Sequence, residues 1–168
     1  MQNRSSSNRL SMRRVSRALP LAFATLATLA SLSLTSLAHA DTPASPVGVW
    51  QTVDDHTGQP KALVQISQDA DGSLSGKIIK GLNPNDSPDR RCDKCTDARK
   101  DQLMLGMTII NGMKPDGEKY DGGQILDPEN GSVYKCTMHT EEGGQKLVVR
   151  GYIGISVIGR SQTWLRQQ

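Results

Sequence analysis

The chain has 168 residues, 20 basic against 17 acidic, with only 4% aromatic side chains. Five arginines and no acid lie before position 41, so without that segment 15 basic and 17 acidic residues remain, a formal charge of −2. A basic balance that vanishes with the leader is poor evidence for nucleic-acid or anionic-membrane binding, and the remaining length suits one domain with its own core.

In chain order, Arg4, Arg9, Arg13, Arg14 and Arg17 precede an Ala/Leu-rich stretch from Ala18 to Leu37, followed by Ala38-His39-Ala40 and Asp41. A basic region, an apolar region and a small-x-small site predict a signal peptide over residues 1–40, cleaved before Asp41. The rival is an uncleaved anchor, because about twenty apolar residues could span a bilayer. Six Ser/Thr in the stretch, Pro20 and the small residues before Asp41 speak for cleavage. The expected compartment is then the periplasm or the exterior, with no membrane span left. Arg13-Arg14 raises a twin-arginine route beside the general secretory one, although Val15-Ser16-Arg17 fits it poorly.

Residues 41–46 read as a flexible mature terminus and 47–168 as one β domain. Strands are predicted at Gly48–Val53, Lys61–Gln68, Ser73–Leu82, Met104–Met113, Lys119–Leu126, Val133–Thr140, Lys146–Tyr152 and Ser161–Arg166. Leu74, Gly76 and Ile78 alternate with Ser75 and Lys77, as a half-buried strand should. Asp69-Ala70-Asp71-Gly72, Glu129-Asn130-Gly131 and Glu142-Gly143-Gly144 supply the turn chemistry of hairpins. About eight hairpin-linked strands predict an all-β, antiparallel up-and-down barrel, since closure removes exposed edges. A two-sheet sandwich is the runner-up. The long segment Asn83–Gln102, rich in Pro, Asp, Arg and Lys, is expected to be functional or cross-linked.

Cys92-Asp93-Lys94-Cys95 is the sharpest local motif. In an oxidising compartment it most simply forms a short disulfide that stiffens this loop; a redox-active pair lacks the helix N-terminus such pairs use. Cys136 is left as a buried thiol, or else pairs with Cys92 or Cys95. A zinc site would need His139 or His56 beside the three cysteines, and a lone Cys-x-x-Cys is a weak signal for one. No metal or cofactor is expected.

Asp54-Asp55-His56 could do acid–base chemistry but suits a hairpin turn, and Asp69–Gly72 is a turn rather than a calcium loop. Gly154-Ile155-Ser156-Val157-Ile158-Gly159 has its second Gly one residue too late for a nucleophile elbow. In the closing segment Arg150, Tyr152, Arg160 and Gln162 place polar groups beside Ile153, Ile155, Val157 and Ile158. The apolar run reads first as a plug for one barrel end. In the second reading it lines a mouth where those four residues orient a ligand's polar end. For an enzyme assembled only in three dimensions, Asp121, Asp127, Glu129, His139 and Arg150 form the pool.

The second half runs Gly122-Gly123-Gln124-Ile125-Leu126-Asp127-Pro128-Glu129-Asn130-Gly131, then Tyr134-Lys135-Cys136 and Leu147–Gly154, and closes with Gly159-Arg160-Ser161-Gln162-Thr163-Trp164. With Gly48-Val49-Trp50 and Leu105-Gly106, this resembles the secreted bacterial family catalogued as domain of unknown function 2147, over almost all of 47–167. The resemblance implies a barrel similar to the calycins, the superfamily of lipocalins and fatty-acid-binding proteins, with no assigned activity. It also implies closure by Gly48, Trp50 and an arginine of the last strand, Arg166 with Arg160 as the other candidate, in a cation–π contact. The functional expectation is a non-enzymatic exported barrel holding a small apolar or amphipathic molecule. Its alternative is a filled barrel that docks an envelope protein.

Overall fold

In a computed structural model of the chain, residues 44–54, 57–84 and 87–168 are described, within the compact unit Ala40–Gln168. The predicted signal peptide lies outside the described residues, as do Asp55 and His56. Eight strands follow one another: β1 (Gly48–Val53), β2 (Pro60–Gln68), β3 (Leu74–Gly81), β4 (Thr108–Asp116), β5 (Lys119–Asp127), β6 (Ser132–Glu141), β7 (Lys146–Tyr152) and β8 (Gly159–Gln167). Each pairs antiparallel with its sequence neighbour, and β8 returns to β1 through Trp50 opposite Arg166, closing the barrel. A single 3-10 turn at Glu142–Gly144 is the only helical element among the described residues.

Strand alternation builds the core. Cys136 lies opposite Gly151, Met138 opposite Val149 and Leu147 opposite Trp164, so one alternation of β6, β7 and β8 forms continuous inner rows. Cys136, Met138, Leu147, Val149 and Trp164 are buried, as are Trp50, Val64, Ile66, Leu74 and Ile78 from the first three strands. Each such aliphatic or aromatic side chain contributes about 1.5–3 kcal/mol by leaving water.

The fourth strand starts later than the sequence suggests, at Thr108 rather than Met104. Met104 and Met107 are buried, so their apolar character did signal the core. They sit in the connection, where the chain turns at Gly106 with φ +85° and Gly106 N–H donates to Ile78 O. Hydrophobicity marked burial here without marking a strand.

The up-and-down order places the turns at 69–73, 117–118 and 142–145 at one end, together with the segment before β1. The connections at 54–59, 82–107, 128–131 and 153–158 share the other. At the first end Trp50 is fully buried and its Nε1 donates to Pro46 O at 2.7 Å. The Arg166 guanidinium lies 4.2 Å from the Trp50 ring centroid and donates to Ser45 O (2.7 Å), Val47 O (3.0 Å) and Gly144 O. Gly48, at φ +144°, leaves the room that this guanidinium occupies; a Cβ there would meet Arg166 Nη1. Ala44, Ser45 and Pro46, which fall in the segment read as a flexible terminus, are held against the barrel. Thr140 Oγ1 donates to Ala44 O at 2.7 Å, and Pro46 is fully buried.

The other end is not plugged. Ile153, Ile155, Val157 and Ile158 are 67%, 64%, 81% and 68% exposed, so the first reading of this run as a plug is corrected. The physical reason lies in Arg150. It stands on the outer alternation of β7, opposite Ser161, and its guanidinium donates to Ser156 O (2.8 Å), Val157 O (3.2 Å) and Ser161 Oγ (3.0 Å). The loop is thus drawn over the barrel rim rather than into its lumen.

Candidate functional site

A cavity of about 660 Å³ occupies the unplugged end and reaches into the barrel. Its walls are apolar: Val64 from β2, Ile78 from β3, Ile109 from β4, Ile125 from β5, Val149 from β7 and Trp164 from β8. Its rim is polar and carries both signs of charge, with Lys61, Lys94 and Arg160 against Asp54, Asp127 and Glu129. Each wall residue comes from a different strand, as closure of a sheet requires.

The long connection shapes one side of this rim. Cys92 and Cys95 are joined in a disulfide, and the backbone around it is fixed by Cys92 N–H to Gln102 O (3.0 Å) and Asp101 N–H to Cys92 O (3.0 Å). Lys94, between the two cysteines, lines the cavity. Gly131, at φ +74°, lets the β5–β6 turn approach this knot; a Cβ there would overlap Lys94 O. Glu129 adds an ionic tie, with Oε1 2.8 Å from Arg90 Nη2 and 3.5 Å from Lys61 Nζ.

The rim carboxylates serve local structure. Asp127 accepts from the Glu129 N–H and from Asn130 Nδ2, both at 2.9 Å. Asp54 Oδ1 accepts from the Thr57 N–H (2.8 Å) and hydroxyl (2.9 Å), an Asx-type turn closing the β1–β2 connection. The Asp69–Gly72 segment is likewise a turn, with Asp69 N–H donating to Ser73 O at 2.8 Å. Hydrogen bonds from Ser73 hold the Asp71 carboxyl below its ordinary value.

Of the four predicted ligand-orienting residues, Tyr152, Arg160 and Gln162 line the cavity, whereas Arg150 does not. Gln162 lies opposite the inward Val149, and its Oε1 accepts from Trp164 Nε1 at 3.0 Å. Tyr152 OH is 3.4 Å from Asp121 Oδ1, and burial followed by that carboxylate raises the phenol's pKa. Cys136 is the free cysteine, fully buried; burial, then Asp121, pushes its thiol up to about 12.

The acid–base pool does not converge. Asp127 and Glu129 reach the rim, but His139 faces Glu141 (Nε2 to Oε1 3.1 Å) near the end of β6 at the closed end. Among the described residues no group of three His, Cys, Asp or Glu could hold a metal ion. Sequence reasoning missed Lys61, Lys94 and Trp164. Trp164 was findable, as an aromatic two residues from Gln162 on a predicted strand. Lys61 and Lys94 share the rim only because the long connection brings Lys94 back to it.

Residues 48–166 match a family model described as an uncharacterized protein conserved in bacteria (DUF2147). No curated protein matches the chain in sequence. Among solved structures, a protein from the human pathogen Helicobacter pylori, HP1028, described as belonging to the lipocalin family, is similar with a TM-score of 0.64 at 15% identity. The similarity covers 74% of this chain and 84% of that one. At this identity the likeness concerns the fold.

Proposed function

The chain belongs to the DUF2147 family, and from that premise we propose that it is a non-enzymatic binding barrel, exported to the periplasm, that takes up one small amphipathic molecule through its open end. The observation that carries this reading is the cavity of about 660 Å³, apolar at depth and polar at its rim. Small-molecule sites generally span about 300–1,000 Å³ and combine apolar walls with a few placed polar groups. The apolar part of a ligand would lie against Val64, Ile125, Val149 and Trp164, with its polar end among Lys94, Arg160 and Gln162. Binding is favoured over catalysis because Asp54, Asp127 and Glu129, the carboxylates of the rim, are engaged in turns and ion pairs. The export half rests on the leader pattern, and the mass of the chain recovered from periplasm tests whether it begins at Asp41.

Titration with 11-(dansylamino)undecanoic acid, followed by dansyl fluorescence, tests the cavity. Saturable uptake at one molecule per chain is expected, weakened about tenfold or more when Ile125→Trp narrows the lumen. Absence of uptake by the wild type, or indifference to Ile125→Trp, overturns the reading.

A further inference from the structure

The β7–β8 tip is the most conspicuous surface feature left unexplained by a binding cavity. Four of its six residues are aliphatic and exposed to solvent, arranged Ile153-Gly154-Ile155-Ser156-Val157-Ile158. Clustered exposed aliphatic groups on a soluble barrel call for a partner surface. This tip is also held in shape, since the three Arg150 hydrogen bonds fix Ser156, Val157 and Ser161 before any partner arrives.

The charge of the hairpin itself favours an anionic partner. The hairpin and its flanks, from Lys146 to Gln168, contain Lys146, Arg150, Arg160 and Arg166 and no acid, and every acidic residue of the chain precedes them. The exposed aliphatic tip is therefore bracketed by Arg150 and Arg160 on an otherwise acidic domain. Aliphatic groups that enter the acyl boundary, with cations at headgroup level, are the two components of interfacial attachment to an anionic bilayer.

We propose that the β7–β8 tip docks the barrel on an anionic lipid surface, with Ile155 and Val157 entering the bilayer and Arg150 and Arg160 meeting the headgroups. Ile153 and Ile158 line the cavity, so docking sets the open end against the membrane. That the docked barrel exchanges its ligand with the bilayer rests on the binding reading above; the docking itself does not.

Flotation with vesicles of phosphatidylglycerol and phosphatidylcholine, against pure phosphatidylcholine, tests it. The full chain is used in the form the host leaves, its mass fixing where it begins. Wild type should float with the anionic vesicles and be released as salt rises through the range where the screening length shrinks to about 3 Å. The double variant Ile155→Ser/Val157→Ser, whose changed side chains lie outside the cavity lining, should bind about tenfold more weakly or worse and melt as the wild type does. Wild type that stays in solution, binds both vesicles equally, or binds no better than the double variant overturns the docking. Uptake of the dansyl probe, measured without vesicles, is expected to be unchanged in the double variant. Absence of uptake in wild type and double variant alike, with flotation as expected, overturns the cavity reading and leaves the docking standing.

Discussion

The two ends of this barrel are built from the same eight strands and solve opposite problems. At one end, Trp50, Arg166 and the segment Ala44–Val47 form a closed stopper in which an aromatic ring, a guanidinium and several backbone carbonyls satisfy one another. At the other, four connections of unequal length surround a cavity and leave aliphatic side chains in water. Closure of the sheet does not by itself fill the barrel. What fills an end is a large inward side chain whose polar neighbours are all accounted for, and only one end has it.

The largest expected difference between the ends appears on truncation. Trp50→Ala removes a fully buried indole beneath Arg166 and should cost about 3–5 kcal/mol in urea unfolding, enough to threaten folding. Val157→Ala, at the open tip, should change stability by no more than about 0.5 kcal/mol. Comparable costs at the two positions would break the distinction between a stopper and a mouth.

Arg166→Leu comes next. The variant keeps an aliphatic stem over the indole but loses the cation–π contact and strips donors from Ser45 O, Val47 O and Gly144 O. A loss of about 2–3 kcal/mol is expected, with faster amide exchange confined to residues 44–48. Exchange that rises at the mouth instead would mean that the stopper is not a local unit.

At the mouth, Cys92→Ala/Cys95→Ala should cost about 2 kcal/mol, the small value appropriate to a four-residue loop closure. Its sharper consequence is regional: proteolysis should begin within 83–107 while β1 and β8 stay protected. The rim also loosens around Lys94, so uptake of the dansyl probe should weaken without being abolished.

How much of this could be read from residues alone divides along the same line. All eight strands were legible because apolar alternation and Gly/Asn turns agree with each other, and the inward set Leu74, Gly76 and Ile78 followed from period two. The same rule separates Arg150 from Arg160: Arg150 shares the alternation of the outer face, whereas Arg160 and Gln162 lie opposite the inward Gly151 and Val149. Grouping the polar residues by nearness in sequence hid that split; Tyr152, on Arg150's alternation, lines the cavity all the same, from the end of β7. The direction of the 153–158 run was not legible, because an aliphatic loop between glycines reads alike whether it folds into a lumen or over a rim. Three hydrogen bonds from one arginine decide it. Lys61 and Lys94 were out of reach as rim residues, since Lys94 arrives there only along a 26-residue connection, and Glu129, singled out as an acid, gave no sign of its tie to Arg90 and Lys61.

The smallest effect is expected midway between the ends, at Cys136, and it is visible only in alkali. Its thiol is buried and pushed from an ordinary value of 9.0 up to about 12, first by burial and then by Asp121. Because the folded pKa lies above the unfolded one, the protonated thiol is the form that the fold retains. Its contribution is complete below about pH 9 and is lost as pH rises from 9 towards 12. At pH 10 the wild type should have lost about 1 kcal/mol through this group, a loss that Cys136→Ala does not share. At pH 8 the two proteins should differ only by the constant cost of the missing sulfur. Urea midpoints of both proteins at the two pH values give the difference directly. Parallel pH dependence in the two would place Cys136 in contact with solvent and extend the cavity past Val149 towards the barrel's middle.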